Sequence, residues 1–275
     1  MRLLEHVTKI ILYFQYLFLF FLIENCCVFV PTLFFIYSIL FILTLFYNYS
    51  IMNIFNCYFC DDYVGLSEFV CDDCYALLPW NYYCCEACAL PQMMGSCVGG
   101  LCSRCLLSKS NVILKSAFLY EDPVVQIVRA MKYNSRLEFA DFIAKSILNY
   151  VLTSPGFICP DFFVPVPIHK KRLRQRGFNQ ALEVAKVLGD ILNVPVDYSS
   201  CLKVKHTKPQ VNCSKLARVS NVAGSFIVTG NLKGARVVIV DDVVTTGSTV
   251  NLLAKVLYER GAKSVVSWTF ARRVI

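Results

Sequence analysis

Two adjacent acids and a hydroxyl-rich turn are the residues of this chain whose types and spacing best suit chemistry. Asp241 and Asp242 follow an unbroken β-branched run at 237–240 and precede a turn, 245–249, of sequence TTGST. The run predicts a buried strand of a parallel sheet, and open α/β sheets bind ligands beyond the carboxyl ends of their strands. Two carboxylates there accept hydrogen bonds from sugar hydroxyls or hold a cation, and a turn that opens a helix suits a phosphate. The pattern therefore fits a ribose 5-phosphate.

The stretch 236–249 also resembles the phosphoribosyl pyrophosphate (PRPP) motif of the type I phosphoribosyltransferases, an apolar strand, two acids and a Thr-Thr-Gly-Ser/Ala-Thr loop. The resemblance implies that Asp241 and Asp242 are the catalytic acids and bind the ribose hydroxyls, that the loop cradles the 5-phosphate, and that Mg²⁺ accompanies PRPP. The other interpretation is a solvated βα turn that happens to be rich in Asp and Thr. The resemblance predicts these PRPP-binding residues: Val240, Asp241, Asp242, Thr245, Thr246, Gly247, Ser248 and Thr249.

A basic run forms a second group of candidate residues. It follows a predicted strand end at Val166-Pro167, on the edge of the sheet where Asp241 is expected. A charge run is usually a solvated face, but this position favours contact with pyrophosphate or nucleic acid. A polar segment, 204–220, is a candidate mobile loop, and Lys132 is a further basic candidate. The predicted pyrophosphate or nucleic-acid contacts are Lys170, Lys171, Arg172, Arg174, Arg176, Lys208 and Arg218.

Alternating strand and helix patterns after residue 110 predict an α/β domain, with a parallel sheet flanked by helices. This is the type I phosphoribosyltransferase fold that the motif implies. The predicted strands are 112–120, 162–166, 196–204, 237–240 and 264–270, and the predicted helices are 124–133, 137–152, 178–192 and one that begins near 250.

The cysteines predict metal sites. Of the 15 cysteines, 12 lie before residue 110, and eight of these form Cys-x-x-Cys pairs. Two such turns complete a tetrahedral Cys₄ site for a structural Zn²⁺, in a reducing compartment. Sequential pairing is the simplest scheme, and interleaved pairing stays open. We expect a double zinc ribbon at 52–110, with the ligands Cys57, Cys60, Cys71, Cys74, Cys85, Cys88, Cys102 and Cys105.

Residues 52–275 resemble the ComF family closely. They share a double zinc ribbon, a Pro-Val-Pro strand end and the stretch Arg-x-Arg-Gly-Phe-Asn-Gln at 174–180, as well as a Lys-Pro-Gln segment at 208–210 followed by Arg218 and Asn221. The family is associated with DNA uptake in naturally competent bacteria and is phosphoribosyltransferase-like. The resemblance thus implies a PRPP-binding domain at 111–275, while the acceptor substrate stays open.

The N-terminal 51 residues differ from the rest in composition. Between Lys9 and Asp61 the only charged residue is Glu24, and 10–23 and 28–47 are apolar runs. These runs predict a membrane hairpin, or else the segment is a mis-called start and the protein begins near Met52. The cysteines favour a cytoplasmic protein, membrane-associated if 10–47 is a real anchor. Residues 101–275 carry 25 of the 27 Lys and Arg residues, which suits an anionic substrate or nucleic acid.

Three functions fit these patterns. The first is a transferase that moves the pentosyl group of PRPP to an acceptor and releases pyrophosphate. The second is a DNA-uptake adaptor that binds single-stranded DNA and whose phosphoribosyl site is a sensor or is non-catalytic. The third is a membrane-tethered scaffold whose cysteine module docks a competence helicase or uptake channel.

Overall fold

The computed structural model describes residues 56–64, 69–93, 100–107, 112–134, 136–203, 226–230 and 232–274. All the elements below belong to one compact unit, Cys57–Asp62 with Glu68–Ile275. Of the chain's other unit, Asn56, Tyr63 and Val64 are described, and the first two pair in a single antiparallel bridge. The predicted segment 1–51 and its apolar runs lie outside the described residues. Within the described ranges, no helix has the length and hydropathy needed to cross a bilayer.

The centre of the fold is a four-stranded parallel sheet of β1 (Ile113–Leu119), β2 (Phe162–Pro165), β5 (Arg236–Val244) and β6 (Ser264–Arg272). The strands lie in the order β1-β6-β5-β2. Its two middle strands are nine residues long and are hydrogen-bonded on both sides, whereas β2 at one edge has only four. The predicted α/β class with a parallel sheet is confirmed.

Helices flank this sheet; the four with ten or more residues each bury an apolar stripe, whereas the seven-residue helix has no buried residue. Within β5, Val237 and Ile239 join the core beneath the last helix, whereas Val238 and Val240 alternate to the other face and are also buried. An unbroken β-branched run is expected for a strand that is covered on both faces. The helices are α3 (Val124–Tyr133), α4 (Phe139–Thr153), α5 (Lys170–Arg176), α6 (Gln180–Leu192) and α7 (Ser248–Glu259).

One predicted strand, 196–204, is largely wrong. Val196 makes only a single parallel bridge to Phe163. The carboxylate of Asp197 then accepts hydrogen bonds from the N–H groups of Ser199 and Ser200, which turns the chain before a strand can extend. The chain resumes as β3 (Cys201–Lys203), which pairs antiparallel with β4 (Phe226–Val228) in a separate two-stranded sheet.

The basic run forms helix α5, which its charges do not indicate by themselves. Two local features set the ends of this helix. The His169 side chain accepts a hydrogen bond from the Lys171 N–H at the start, and Gly177 ends the helix with a left-handed φ of 84°. Five of its seven residues are cations, and Lys170, Lys171 and Arg174 are exposed to solvent.

The cysteine module contains two short helices, α1 (Asp72–Ala76) and α2 (Ser103–Leu107), and packs on the edge strand β1. The N–H of Asn81 donates to Ala117 O (2.9 Å), and the N–H of Leu114 donates to Ala87 O (3.0 Å). Trp80 lies against Phe118, with 4.3 Å between ring centroids. Main-chain hydrogen bonds and aromatic packing therefore join the module to the sheet.

Candidate functional site

The acid pair lies inside β5 rather than after it. The sequence predicts a strand that ends at Val240, but the ladder with β6 continues through the register pairs Asp241 with Thr269 and Val244 with Arg272. The predicted end was wrong because β6 is itself long enough to keep pairing. The N–H of Asp242 donates to Asp241 Oδ1 (2.9 Å), which ties the two acids together at the carboxyl end of the sheet.

Lys132, from the last turn of α3, forms an ion pair with the second acid. Its Nζ lies 2.6 Å from Asp242 Oδ2, and only 12% of the Asp242 side chain is exposed. Burial lowers the pKa of Lys132, but the charges of Asp242 and Asp241 outweigh that effect and raise it above the ordinary value. Lys132 precedes Asp241 by 109 positions in the chain, and the fold brings it to the acid pair.

Asp241 is half-buried and holds its proton unusually firmly. Burial and the neighbouring charge of Asp242 raise its pKa to about 7, although the cations Lys132 and Lys203 oppose the shift. A carboxyl that titrates near neutral pH is typical of a functional site. Sequence reasoning missed Lys203, because a lone lysine at the end of the short strand β3 carries no recognisable signal.

The turn after β5 leads into helix α7 through a left-handed glycine. Gly247 has a φ of 77°, a left-handed value that favours glycine, and it immediately precedes α7. The Thr246 and Ser248 hydroxyls lie 2.8 Å apart, and Asn251 Nδ2 donates to Gly247 O (3.0 Å). The twelve-residue helix therefore begins at Ser248, one of these two hydroxyl residues, with its positive end at the turn.

Helix α5 follows β2 at the same edge of the sheet. The Val166 N–H donates to Val240 O (2.9 Å), which places the exit of β2 beside the acids. Burial and the nearby charge of Arg172 lower the pKa of Lys203, whereas the charge of Asp241 opposes this shift. Arg172 and the acids thus share one electrostatic environment. Of the other predicted contacts, Lys208 and Arg218 lie outside the described residues.

Arg176 is half-buried and is held by neighbouring side chains. Its Nη1 donates to Gln180 Oε1 (2.8 Å), and its guanidinium lies 5.8 Å from the centre of the Tyr133 ring. Tyr133 directly follows Lys132, so this contact packs the end of α5 against the end of α3. The two arginines of α5 that are half-buried, Arg172 and Arg176, therefore differ from the three exposed cations on the same helix.

The eight predicted metal ligands form two groups in sequential order. Within each group the four Sγ atoms lie within 4.8 Å of one another. Two thiolates on a tetrahedral Zn²⁺, each at about 2.3 Å, are about 3.8 Å apart. The Sγ atoms of Cys60 and Cys71 are 3.6 Å apart, and those of Cys88 and Cys102 are 3.8 Å apart. We name the groups the first cluster (Cys57, Cys60, Cys71, Cys74) and the second cluster (Cys85, Cys88, Cys102, Cys105).

The two clusters repeat one backbone design. In each, the first cysteine accepts a main-chain N–H from the third at 3.3 Å: Cys71 to Cys57, and Cys102 to Cys85. Burial raises the pKa of both acceptor thiols, but these and other main-chain donors outweigh it, to about 6 for Cys57 and about 7 for Cys85. Preformed donors therefore favour thiolates, the form that binds a metal. The donor set fits Zn²⁺ in both clusters.

Arg272, the last residue of β6, was not predicted. It is 3% exposed, and its Nε donates to Cys88 O (2.9 Å). Its Nη1 donates to Val244 O (3.1 Å) and also to Thr245 O. Burial lowers the pKa of this guanidinium, and the thiols of the second cluster oppose that effect. One of the two adjacent arginines at the end of the chain is thus buried, which the sequence does not reveal.

Comparison with known proteins agrees with this architecture. A family model described as the phosphoribosyl transferase domain matches residues 175–274. The DNA utilization protein YhgH of Salmonella typhimurium is 33% identical over 221 residues, 78% of this chain and 96% of that protein. The fold, the matched domain and the tetracysteine clusters define the class as a phosphoribosyltransferase-domain protein with a cysteine-rich module.

Two further relatives narrow the class to a family. Competence protein ComFC of Bacillus subtilis is 27% identical over 75% of this chain and 85% of that protein. Competence protein F of Haemophilus influenzae is 34% identical over 41% of this chain and 51% of that protein. The chain belongs to the ComF family.

Proposed function

We propose that the carboxyl edge of β5 binds PRPP, with Asp241 and Asp242 as the acids for the ribose hydroxyls. The observation that carries this proposal is the arrangement at one sheet edge: an acid pair held by Lys132, followed within three residues by a hydroxyl-rich turn with a left-handed glycine. A solvated βα turn needs neither a buried cation nor a carboxyl with a pKa near 7.

Each part of the site has a proposed role. Val240 and the acids bind the pentose, and the loop Thr245, Thr246, Gly247, Ser248 and Thr249 binds its 5-phosphate through backbone N–H groups at the start of α7. The cations Lys170, Lys171, Arg172, Arg174 and Arg176, with Lys208 and Arg218, stabilise the charge on pyrophosphate. Mg²⁺ supplies further charge neutralisation on pyrophosphate when it is bound.

The reaction that follows is pentosyl transfer. A nitrogen nucleophile of the acceptor attacks C1 of the ribose, while the C1–O bond to pyrophosphate breaks and its electron pair leaves with pyrophosphate. The nitrogen then loses its proton to solvent. Positioned cations stabilise the charge that develops on the leaving oxygen, which is the main electrostatic contribution the site offers.

The acid pair provides the direct test. We expect Asp241→Asn with Asp242→Asn to weaken PRPP binding at least about 100-fold, because two charge-assisted contacts are lost. Isothermal calorimetry of the full-length chain with PRPP and Mg²⁺ measures this. Asp161→Asn, which removes an exposed acid at the other end of β5, is the control. Unchanged affinity in the double variant contradicts the proposal.

Turnover separates an enzyme from a sensor. The full-length chain is incubated with PRPP, Mg²⁺ and a panel of nucleobases and amines, and pyrophosphate is measured. Release that depends on one acceptor identifies a phosphoribosyltransferase. PRPP binding without pyrophosphate release, whichever acceptor is added, supports a non-catalytic sensor.

A second function is favoured by helix α5, and the two can coexist. Its cations Lys170, Lys171 and Arg174 are exposed, and the names of the relatives refer to DNA utilization and competence. We propose that this face binds single-stranded DNA in a DNA-uptake pathway. Replacing the three cations with Gln lowers the salt dependence of DNA affinity by about 2 in log–log slope, at about 0.7 per lost phosphate contact. The matched control replaces three exposed lysines elsewhere, Lys145, Lys186 and Lys255, with Gln.

The cysteine module is proposed to be a structural double zinc ribbon, with the boundary to the phosphoribosyltransferase-like domain near residue 110. Four thiolates leave no open position for catalysis on either metal. We expect two Zn²⁺ per chain by elemental analysis. A single Zn²⁺ per chain, or iron in place of zinc, contradicts this assignment. A role in docking a helicase or channel partner would fall to this module.

A further inference from the structure

We propose that Arg272 is a positioning residue through which the second cluster holds the 245–249 loop in its binding conformation. Metal loading at the second cluster then sets the affinity of the loop for a phosphate. This rests on the proposed PRPP site for its ligand, but the mechanical link between cluster and loop is independent of that ligand.

The geometry of Arg272 provides the link. Its guanidinium is planar and carries N–H donors in fixed directions, so two contacts made by one side chain restrain each other. One contact is to Cys88 O, in the Cys-x-x-Cys turn of the second cluster, at 2.9 Å. The others are to Val244 O at 3.1 Å and to Thr245 O, where β5 enters the loop. A further contact, to Arg273 O at 3.1 Å, fixes the side chain to its own strand.

Burial makes the link costly to break. Arg272 is 3% exposed, and the described residues include no carboxylate that forms an ion pair with it. Its buried guanidinium instead donates to the carbonyl oxygens of Cys88, Val244, Thr245 and Arg273. A second cluster without its metal no longer fixes the Cys-x-x-Cys turn, and a shift of Cys88 O would leave the buried guanidinium with one hydrogen-bond acceptor fewer.

The first cluster offers an internal comparison. It meets the sheet domain through aromatic rings: Tyr58 lies 4.9 Å and Phe69 5.5 Å from Phe139, centroid to centroid. Ring packing of this kind stabilises the module, and among the described residues no hydrogen bond runs from the first cluster to the loop. The two clusters should therefore differ in what their metal controls, even though they share one local design.

The first experiment uses Arg272→Lys in the full-length chain, with Arg273→Lys as the matched control because Arg273 is exposed. Lysine keeps the charge but cannot donate in several fixed directions. We expect the amides of 246–249 to exchange hydrogen about tenfold faster and PRPP to bind about tenfold more weakly, as befits loss of hydrogen bonds to a charged group. Arg273→Lys should change neither. Unaltered exchange in Arg272→Lys overturns the proposal.

The second experiment removes metal from one cluster at a time. Cys105→Ser impairs the second cluster and Cys74→Ser the first, and Zn²⁺ content verifies the loss of one metal in each. We expect faster exchange at 246–249 only in Cys105→Ser. Adding Arg272→Lys to Cys105→Ser should then have little further effect, because both changes break one link. Equal effects of the two cysteine variants, or full additivity in the double variant, overturn the coupling.

The two readouts separate this inference from the proposed function. If the unaltered chain fails to bind PRPP but the exchange pattern is as expected, the coupling holds and the PRPP proposal fails. If PRPP binds the unaltered chain and Arg272→Lys equally, and exchange is unchanged, the coupling fails and the PRPP proposal holds.

Discussion

Each end of β5 carries an ion pair between an acid and a base, but the pKa of a carboxyl is lowered at one end and raised at the other. At its start, Arg236 Nη2 lies 2.7 Å from Asp161 Oδ1, and both side chains are about 40% exposed. At its end, Lys132 and Asp242 are 2.6 Å apart and far less exposed. The pKa of Asp161 is lowered to about 2, first by its hydrogen bonds from Arg236, whereas burial raises the pKa of Asp241 to about 7.

The difference comes from solvent and from the number of acids per base. An exposed acid that is hydrogen-bonded to one guanidinium stays ionised, because both solvent and the positive charge favour the carboxylate. Two adjacent acids that share one buried lysine cannot both be ionised without cost, so one keeps its proton near neutral pH. The first arrangement ties β5 to the loop before β2. The second keeps polar groups desolvated at the place where a ligand is proposed to bind, an arrangement that costs stability and suits a site.

A large loss of stability at pH 7 is expected from removing the buried base. Lys132→Met leaves two carboxylates with their nearest cation gone, and we expect the free energy of unfolding to fall by about 3 kcal/mol. Urea denaturation at pH 7 measures this. Lys145→Met is the matched control, since Lys145 forms an exposed i,i+4 pair with Asp141 and should cost less than about 0.5 kcal/mol. Equal losses of unfolding free energy in the two variants would contradict the expected difference between the buried and the exposed ion pair.

A second effect is expected in the pH dependence of stability at the carboxyl end. Asp241 has a folded pKa of about 7 against an ordinary value of 3.8, so the folded chain binds its proton more tightly than the unfolded chain does. Its contribution to stability is therefore full below pH 3.8 and is lost as pH rises to about 7. Asp241→Asn should remove this fall. Urea denaturation of both proteins from pH 4 to 8 tests it, and parallel curves would be contrary to expectation.

The smallest effect is expected at the amino end, with the opposite sign. The pKa of Asp161 is lowered from 3.8 to about 2, so its contribution is present above 3.8 and is lost as pH falls through about 2. Asp161→Asn should be slightly less stable than the unaltered chain at pH 6, and the two should converge in acid. Arg236→Lys, which keeps the charge, should behave between them. A difference that widens towards low pH would contradict the assignment.

The sequence predicts most of the central fold because its patterns are local. A β-branched run identifies β5, and apolar spacing identifies α3 and α6 with nearly the observed ends. The failures have physical causes that lie elsewhere in the chain. The end of β5 depends on the length of β6, and the strand predicted at 196–204 is interrupted by the Asp197 turn. The helical state of α5 depends on caps at His169 and Gly177 rather than on its charges.

The chemistry-bearing residues divide in the same way. Adjacent acids, a Thr-rich turn and Cys-x-x-Cys pairs act through neighbours in the chain, so the sequence by itself determined the acid pair, the loop and the cysteine ligands as candidates. Lys203 and Arg272 are single residues with no local pattern, and Lys132 was only one basic candidate among several. Only the tertiary structure decided that Lys132 and Lys203 lie near the acids and that Arg272 joins the second cluster to the loop. These contacts link separate elements of the chain: 110 positions separate Lys132 from Asp242, and 184 separate Cys88 from Arg272.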